Sequence, residues 1–174
     1  LREAVWNGYL SINPAENIRR LGTSHKKKSI LKDKEVRALF NPVKIKYIWG
    51  DNIFHYTLNL LAASTGMRMG EIQSIRFMDI GKDYIQVRHS WSRKYGLKEP
   101  KFGSVREIGI PSGVVENLEK VIILHSNMDE ERFLFSVPGT DVPIGNKQIS
   151  NALYRAMDMI GISEDKRIER NITF

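Results

Sequence analysis

Between residues 53 and 63 the chain is apolar on nearly every face: Ile53, Phe54, Tyr56, Leu58, Leu60, Leu61, Ala62 and Ala63 leave no continuous polar stripe. A helix of that pattern has to be wrapped by other elements, so whatever this chain folds into must be built around it. The helix runs on through Ser64 and Thr65 to Gly66 and then to Arg68. A guanidinium keeps its proton and is costly to bury unless an anion meets it. Arg68 is therefore a permanent cation fixed at the end of a core helix, with Glu71 one helical turn later on the same face. Such an arrangement suits holding a phosphate. It also reads as ordinary helix punctuation, with Gly66 a C-cap, Arg68 a surface residue and Glu71 a capping residue of the next helix.

The rest of the chain supplies elements to wrap that helix. Residues 1–10 carry Ala4, Val5, Trp6 and Leu10, a short amphipathic signal closed by Gly8 or by Ser11 and Asn13-Pro14. Arg19-Arg20-Leu21-Gly22 leads into Ser24-His25-Lys26-Lys27-Lys28-Ser29, a basic run without apolar period that reads as a linker. From Ile30 a single domain is expected to begin. Val36, Leu39 and Phe40 share a helical face, and Ile72 and Ile75 continue a short helix that ends at Asp79-Ile80-Gly81. Tyr84-Ile85-Gln86-Val87-Arg88 alternates as a strand, and Val105 to Pro111 gives a second one. These two strands form an antiparallel hairpin, with residues 91–104 as a polar loop at its tip. Helices are predicted at about 112–125 and from Ile149 to Ile160, closed by Gly161, with Phe133-Leu134-Phe135 as a short buried extended piece. The fold class is α+β, mostly helical, with one small antiparallel sheet.

Bulk composition narrows the partners. Lys and Arg number 27 against 20 Asp and Glu, a formal charge of +7, which fits nucleic acid or another acidic surface. The absence of cysteine excludes disulfides, thiolate zinc sites and thiol nucleophiles, and agrees with a reducing compartment. No apolar run approaches the roughly 20 residues of a membrane span, and no signal peptide opens the chain. No His pair at i, i+4 and no carboxylate cluster has ligand spacing, so neither a metal nor another cofactor is expected. The chain begins at Leu1 and stops on Asn171-Ile172-Thr173-Phe174, whereas natural termini tend to be polar and frayed. The expectation is a fragment of something longer.

The segment Thr65-Gly66-Met67-Arg68-Met69-Gly70-Glu71 resembles the first catalytic box of the tyrosine recombinases, the phage-integrase family, which reads Thr-Gly-x-Arg-x-x-Glu. A second segment, Glu99-Pro100-Lys101-Phe102-Gly103-Ser104-Val105-Arg106, resembles that family's hairpin. Lys101 matches its lysine, Ser104 and Arg106 its polar pair, and Ile108, Ile110 and Pro111 its closing strand. Phe102 departs from the usual Thr. Residues 1–29 are similar to the end of the family's core-binding domain and its basic linker, which leaves 30–174 as a catalytic domain incomplete at its C-terminus.

The resemblance implies site-specific DNA recombination by a phage or mobile-element integrase, through transesterification and a 3′-phosphotyrosine intermediate. Arg68 would hold the non-bridging phosphate oxygens, Lys101 would protonate the departing 5′-oxygen, and Glu71 would support Arg68. The bond energy is kept in the covalent intermediate, so neither ATP nor metal is needed. Contacts to double-stranded DNA are expected from Lys26, Lys27, Lys28, Arg93, Lys94, Ser104, Arg106 and Lys147. Other recombinase protomers, in a tetramer on DNA, are the implied protein partners, and a cytoplasmic, nucleoid-associated location in a bacterium follows.

The family's His-x-x-Arg box and nucleophilic tyrosine find no match. Tyr9, Tyr47, Tyr56, Tyr84, Tyr95 and Tyr154 all lie upstream of where that tyrosine belongs, so the chain by itself is expected to be inactive. The gene is expected to continue for ~50–60 residues, the two to four helices still wanting. The histidines His25, His55, His89 and His125 are unaccompanied, and His55 reads as a satisfied interior residue. The alternative reading is a non-catalytic DNA-binding module with an integrase-like fold.

Overall fold

Asn52 starts the central helix by accepting a hydrogen bond from the His55 N–H at 2.9 Å, and Gly66 ends it in the left-handed conformation, φ 65°. The computed structural model describes residues 1–19, 22, 28–100, 103–125 and 129–172. In it the helices are α1 (Arg2–Trp6), α2 (Asp33–Leu39), α3 (Ile45–Trp49), α4 (Ile53–Thr65), α5 (Met69–Gln73), α6 (Ser112–Ile123), α7 (Asn146–Met159) and α8 (Glu164–Glu169). The strands are β1 (Tyr84–Val87), β2 (Ser90–Ser92), β3 (Gly96–Lys98) and β4 (Arg106–Gly109).

Helices α4 and α7 each contribute to two apolar cores. Leu58 and Leu61 join Ile72, Ile85, Val114, Leu118, Val121, Leu134 and Phe135 in the first. Tyr56 joins Leu39, Trp49, Leu153, Ala156 and Met157 in the second, with Leu60 against both. The expectation of burial on every face holds for the middle of the helix and fails in its last turn, where Ala63 and Ser64 are exposed. Small side chains lose little by facing water, so nothing forces a cover over them. Two polar side chains inside the helix bond to backbone: Thr57 Oγ1 donates to the Asn117 carbonyl at 3.4 Å, and Asn59 Nδ2 to that of His55 at 2.8 Å, while the buried Asn59 Oδ1 has no partner among the described residues.

The predicted pairing of the two alternating segments is present. β1 and β4 run antiparallel with Tyr84 opposite Gly109, Ile85 opposite Ile108, Gln86 opposite Glu107 and Val87 opposite Arg106. Ile85 and Val87 face the first core, so register is fixed by burial of one face. The tip is not the plain polar loop expected for 91–104. It contains its own hairpin, β2 with β3, pairing Ser90 with Lys98, Trp91 with Leu97 and Ser92 with Gly96. Ser-Trp-Ser and Gly-Leu-Lys carry too few apolar residues to announce strands, and pairing is closed locally by the turn in which Gly96 takes φ 69°.

Two short helices also escaped the sequence reading. α3 buries only Ile48 and Trp49, and α8 only Arg167, fewer residues than a helical period needs to show. Residues 133–135 are buried as expected and bridge Arg76 opposite Phe133, with the Leu134 N–H on the Ile75 carbonyl at 2.8 Å. α1 buries none of its residues. None of the described helices is long and apolar enough to cross a membrane.

Candidate phosphate-binding site

Gly66 turns the chain out of α4 and Arg68 becomes the N-cap of α5, with extended backbone at φ −69°, ψ 149°. Arg68 thus does not continue the core helix; it opens the next one. Glu71, three residues on, folds back over that start. Its Oε2 accepts the Arg68 backbone N–H at 2.9 Å and its Oε1 accepts Arg68 Nη1 at 3.1 Å. The capping reading and the ion-pair reading of Glu71 are both present in one side chain.

A second guanidinium completes the cluster from across the sheet. Arg106, at the first position of β4, donates Nη1 to Glu71 Oε1 at 3.2 Å and Nη2 to Oε2 at 2.9 Å. Four donors therefore fill the sites of one carboxylate, whose side chain is 1% exposed. Burial pushes the Glu71 carboxyl up, but the hydrogen bonds from Arg106 and from the backbone and side chain of Arg68 outweigh it and hold it below the usual carboxylate range. The carboxylate stays charged, and two arginines against one glutamate leave a local excess of one positive charge.

That excess is accessible. The Arg68 side chain is 61% exposed and that of Arg106 36%. The buried carboxylate fixes one edge of the Arg68 guanidinium and leaves the rest open to an anion. Planar donors held in place before a ligand arrives are what recognition of a phosphate oxygen needs.

The other described residues singled out in the sequence lie on separate segments. Arg93 and Lys94 are exposed in the turn between β2 and β3, with the Lys94 ammonium 4.9 Å and the Lys98 ammonium 3.7 Å from the centre of the Tyr95 ring. Ser104 is exposed just ahead of β4, Lys28 ahead of α2, and Lys147 in the first turn of α7. Lys26, Lys27 and Lys101 lie outside the described residues. Pro100 before Lys101 is buried, and its carbonyl accepts the Gly103 N–H at 3.0 Å.

Sequence reasoning grouped Arg106 with Ser104 as a DNA contact and missed that it grips Glu71. The strand alternation places Arg106 at a defined position but carries no signal for a partner 35 residues away. His55 departs from its expected satisfied state: its buried Nδ1 has no hydrogen-bond partner among the described residues, and burial, with Arg155 adding to it, pushes its pKa down. His125 falls after α6 rather than within it, with Nε2 2.9 Å from the Leu134 carbonyl oxygen.

No family model and no curated protein sequence matches the chain. Solved structures do. The Tn1549 transposon integrase in complex with transposon right end DNA superposes with a TM-score of 0.72 at 18% identity, over 94% of this chain and 55% of that one. A lambda integrase tetramer bound to a Holliday junction gives 0.63 at 19%, over 93% and 44%. The XerA recombinase gives 0.59 at 19%, over 80% and 46%. All three are tyrosine recombinases, and the chain spans about half the length of each or less. At this identity the likeness is one of fold: a mostly helical domain with small antiparallel pairing, as in the tyrosine-recombinase catalytic domain.

Proposed function

We propose that this chain, which has the tyrosine-recombinase catalytic-domain fold, belongs to that family and acts in site-specific DNA recombination as part of a phage or mobile-element integrase. The observation that carries the reading is the Arg68–Glu71–Arg106 cluster, a preorganised positive centre with one guanidinium open to solvent. Residues 30–174 are assigned to the catalytic domain and 1–29 to the end of a core-binding domain and its linker. Two features support that division: α1 buries none of its residues, and at the boundary the Ser29 N–H donates to the Arg170 carbonyl at 3.2 Å.

In this reading Arg68 binds a non-bridging oxygen of the scissile phosphodiester. Negative charge grows on that oxygen as the phosphorus becomes five-coordinate, so a donor already fixed by Glu71 lowers the barrier without reorganising. Arg106 holds Glu71 from the opposite side and adds its charge. Lys101 takes the role of general acid, giving its proton to the departing 5′-oxygen. A tyrosine oxygen attacks the phosphorus, the 5′-oxygen leaves, and the 3′-phosphotyrosine so formed is later reopened by a 5′-hydroxyl from the recombining strand. The substrate is double-stranded DNA, and the protein partners are further recombinase protomers on it, at the nucleoid in the cytoplasm.

None of the six tyrosines of this chain is assigned as that nucleophile. The Tyr56 hydroxyl donates to the Phe40 carbonyl at 3.1 Å, and Tyr154 lies under the Arg167 guanidinium, 4.4 Å from its ring centre. Tyr84 sits three residues along β1 from the Val87–Arg106 pair, roughly 10 Å by strand rise. Tyr95 is flanked by Lys94 and Lys98, Tyr9 is exposed just after α1, and Tyr47 is exposed on α3. The deciding experiment traps cleavage by the whole gene product on a nicked duplex. Covalent adduct formed by the wild type and lost in Arg68→Ala, with duplex binding retained, supports the recombinase. Duplex binding without any adduct from the whole gene product favours the non-catalytic module.

A further inference from the structure

Only Gly66 and Met67 separate the end of α4 from Arg68, and one hydroxyl spans that turn. Thr65, the last residue of α4, donates Oγ1 to the Leu61 carbonyl at 2.6 Å and accepts the Met67 N–H on the same oxygen at 3.3 Å. A hydroxyl can do both at once, having one proton to give and lone pairs to receive. Bonding back to the carbonyl four residues earlier orients the side chain, and its β-branch removes most of the remaining freedom. The oxygen is thereby tied to a core helix on one side and to the turn on the other. Ser64 makes the contrast: its Oγ donates to the Leu60 carbonyl at 2.8 Å, a bond that stays within the helix.

The rest of the turn is held as firmly. Gly66, at φ 65°, places its N–H on the Ala62 carbonyl at 3.0 Å, and Met67 is buried in the first core. Beyond it, Glu71 takes the Arg68 backbone N–H and one edge of its guanidinium. Thr65 and Glu71 therefore bracket Arg68. One secures the chain that leads into it, and the other secures the residue from the helix that follows.

We infer that Thr65 is a positioning residue: its hydroxyl fixes the turn from which the Arg68 guanidinium reaches the phosphate. The inference rests on the recombinase reading for the phosphate, though not for the geometry. Exchanging the hydroxyl for a methyl group keeps the shape of the side chain and releases the Met67 N–H. The backbone just ahead of Arg68 then loses its tie to α4. Duplex binding is shared among many contacts and survives. Stabilisation of the charge that develops on the phosphate depends on the placement of one planar fork and does not.

Two measurements test it. In the 174-residue chain, Thr65→Val should accelerate amide hydrogen exchange at Met67 and Arg68 by about tenfold or more, with β1, β4 and α7 unchanged. Thr65→Ser, which keeps the oxygen, should restore slow exchange. Ser64→Ala, which removes a bond confined to α4, should leave both amides as in wild type. Thr65→Ala serves if Thr65→Val does not fold. Unchanged exchange at Met67 and Arg68, or a rise spread over the whole domain, overturns the positioning role. In the whole gene product, Thr65→Val should slow cleavage on the order of 10- to 100-fold with duplex affinity retained, and Thr65→Ser should recover most of the rate. A methylphosphonate at the scissile position has one fewer charged oxygen for a guanidinium to neutralise. On that duplex the Thr65→Val defect should shrink to within a few-fold of wild type. Equal loss on both substrates makes Thr65 merely structural. Arg68→Ala is the control: if its defect is as large on the methylphosphonate, the assignment of Arg68 to the phosphate fails, and the exchange data still decide what Thr65 does to the turn.

Discussion

Arg106 grips Glu71 with both terminal guanidinium nitrogens, at 3.2 and 2.9 Å, from a strand that begins 35 residues after the glutamate it reaches. The same carboxylate caps Arg68. A single buried glutamate therefore fixes the orientation of the exposed arginine and pins the base of the β1–β4 pair to α5.

The three members of this cluster should contribute very unequally to stability. Glu71→Gln removes the buried charge but leaves two partly exposed guanidinium groups that water can reach, and should cost about 1–2 kcal/mol, below the range for breaking a fully buried ion pair. Arg106→Ala, which strips two of four donors from a buried carboxylate, should cost more, about 2–3 kcal/mol. Arg68→Ala, at a side chain mostly in water, should cost under about 1 kcal/mol. Urea unfolding of the three variants, with equal denaturant slopes, checks the order.

Catalysis should reverse that order. In the whole gene product, Arg68→Ala should abolish strand cleavage while duplex affinity changes little, because the interaction strengthens only as charge develops on the phosphate. Arg68→Lys should recover little, since a point charge cannot replace a planar fork whose edge is held by Glu71. Single-turnover rates beside filter-binding affinities would expose the idea as wrong if the lysine variant cleaved normally.

Affinity for duplex DNA should be salt-controlled. The formal charge of +7 and the exposed Lys28, Arg93, Lys94 and Lys147 predict that log K for the chain falls linearly with log salt, with little preference among sequences. A titration between low and physiological salt with no slope would rule out a phosphate-directed interface.

Incubated alone with a nicked suicide duplex, the chain should yield no covalent adduct on a denaturing gel. An adduct would require a nucleophile among the six tyrosines assigned no such role above, and mapping it would overturn that assignment.

An acid-labile tie holds Ile30 and α2 to the end of α8. Arg170 bonds both Glu35 oxygens, at 2.6 and 3.0 Å, and the Ile30 carbonyl at 3.1 Å. The hydrogen bond from Arg170 leads in holding Glu35 at about 2, below its ordinary 4.5, against an opposing effect of desolvation. The folded value is the lower one, so the tie is fully present above pH 4.5 and is lost as pH falls toward 2. Glu35→Gln should flatten the fall of melting temperature across that window and leave a less stable protein near neutrality. A parallel acid slope in wild type and variant would place the acid sensitivity elsewhere.

Much of this molecule was written into local pattern. The unbroken apolar face of residues 53–63 fixed a central helix, alternation at 84–88 and 105–111 fixed a paired sheet, and the periods at 112–125 and 149–160 fixed two helices over it. These signals are legible because each element buries a face whose spacing equals its own backbone repeat. Gly66, Arg68 and Glu71 were legible for a similar reason, since a left-handed C-cap and a capping carboxylate act within a few residues. The tertiary structure alone decided that Arg106 meets Glu71, that the tip folds into a second hairpin, that Gly70 lies against the Trp91 carbonyl and that the His55 Nδ1 is left without a partner among the described residues. Those depend on how separately formed elements dock. Docking is set by packing and by the satisfaction of buried charge over long stretches of chain, which periodicity does not encode.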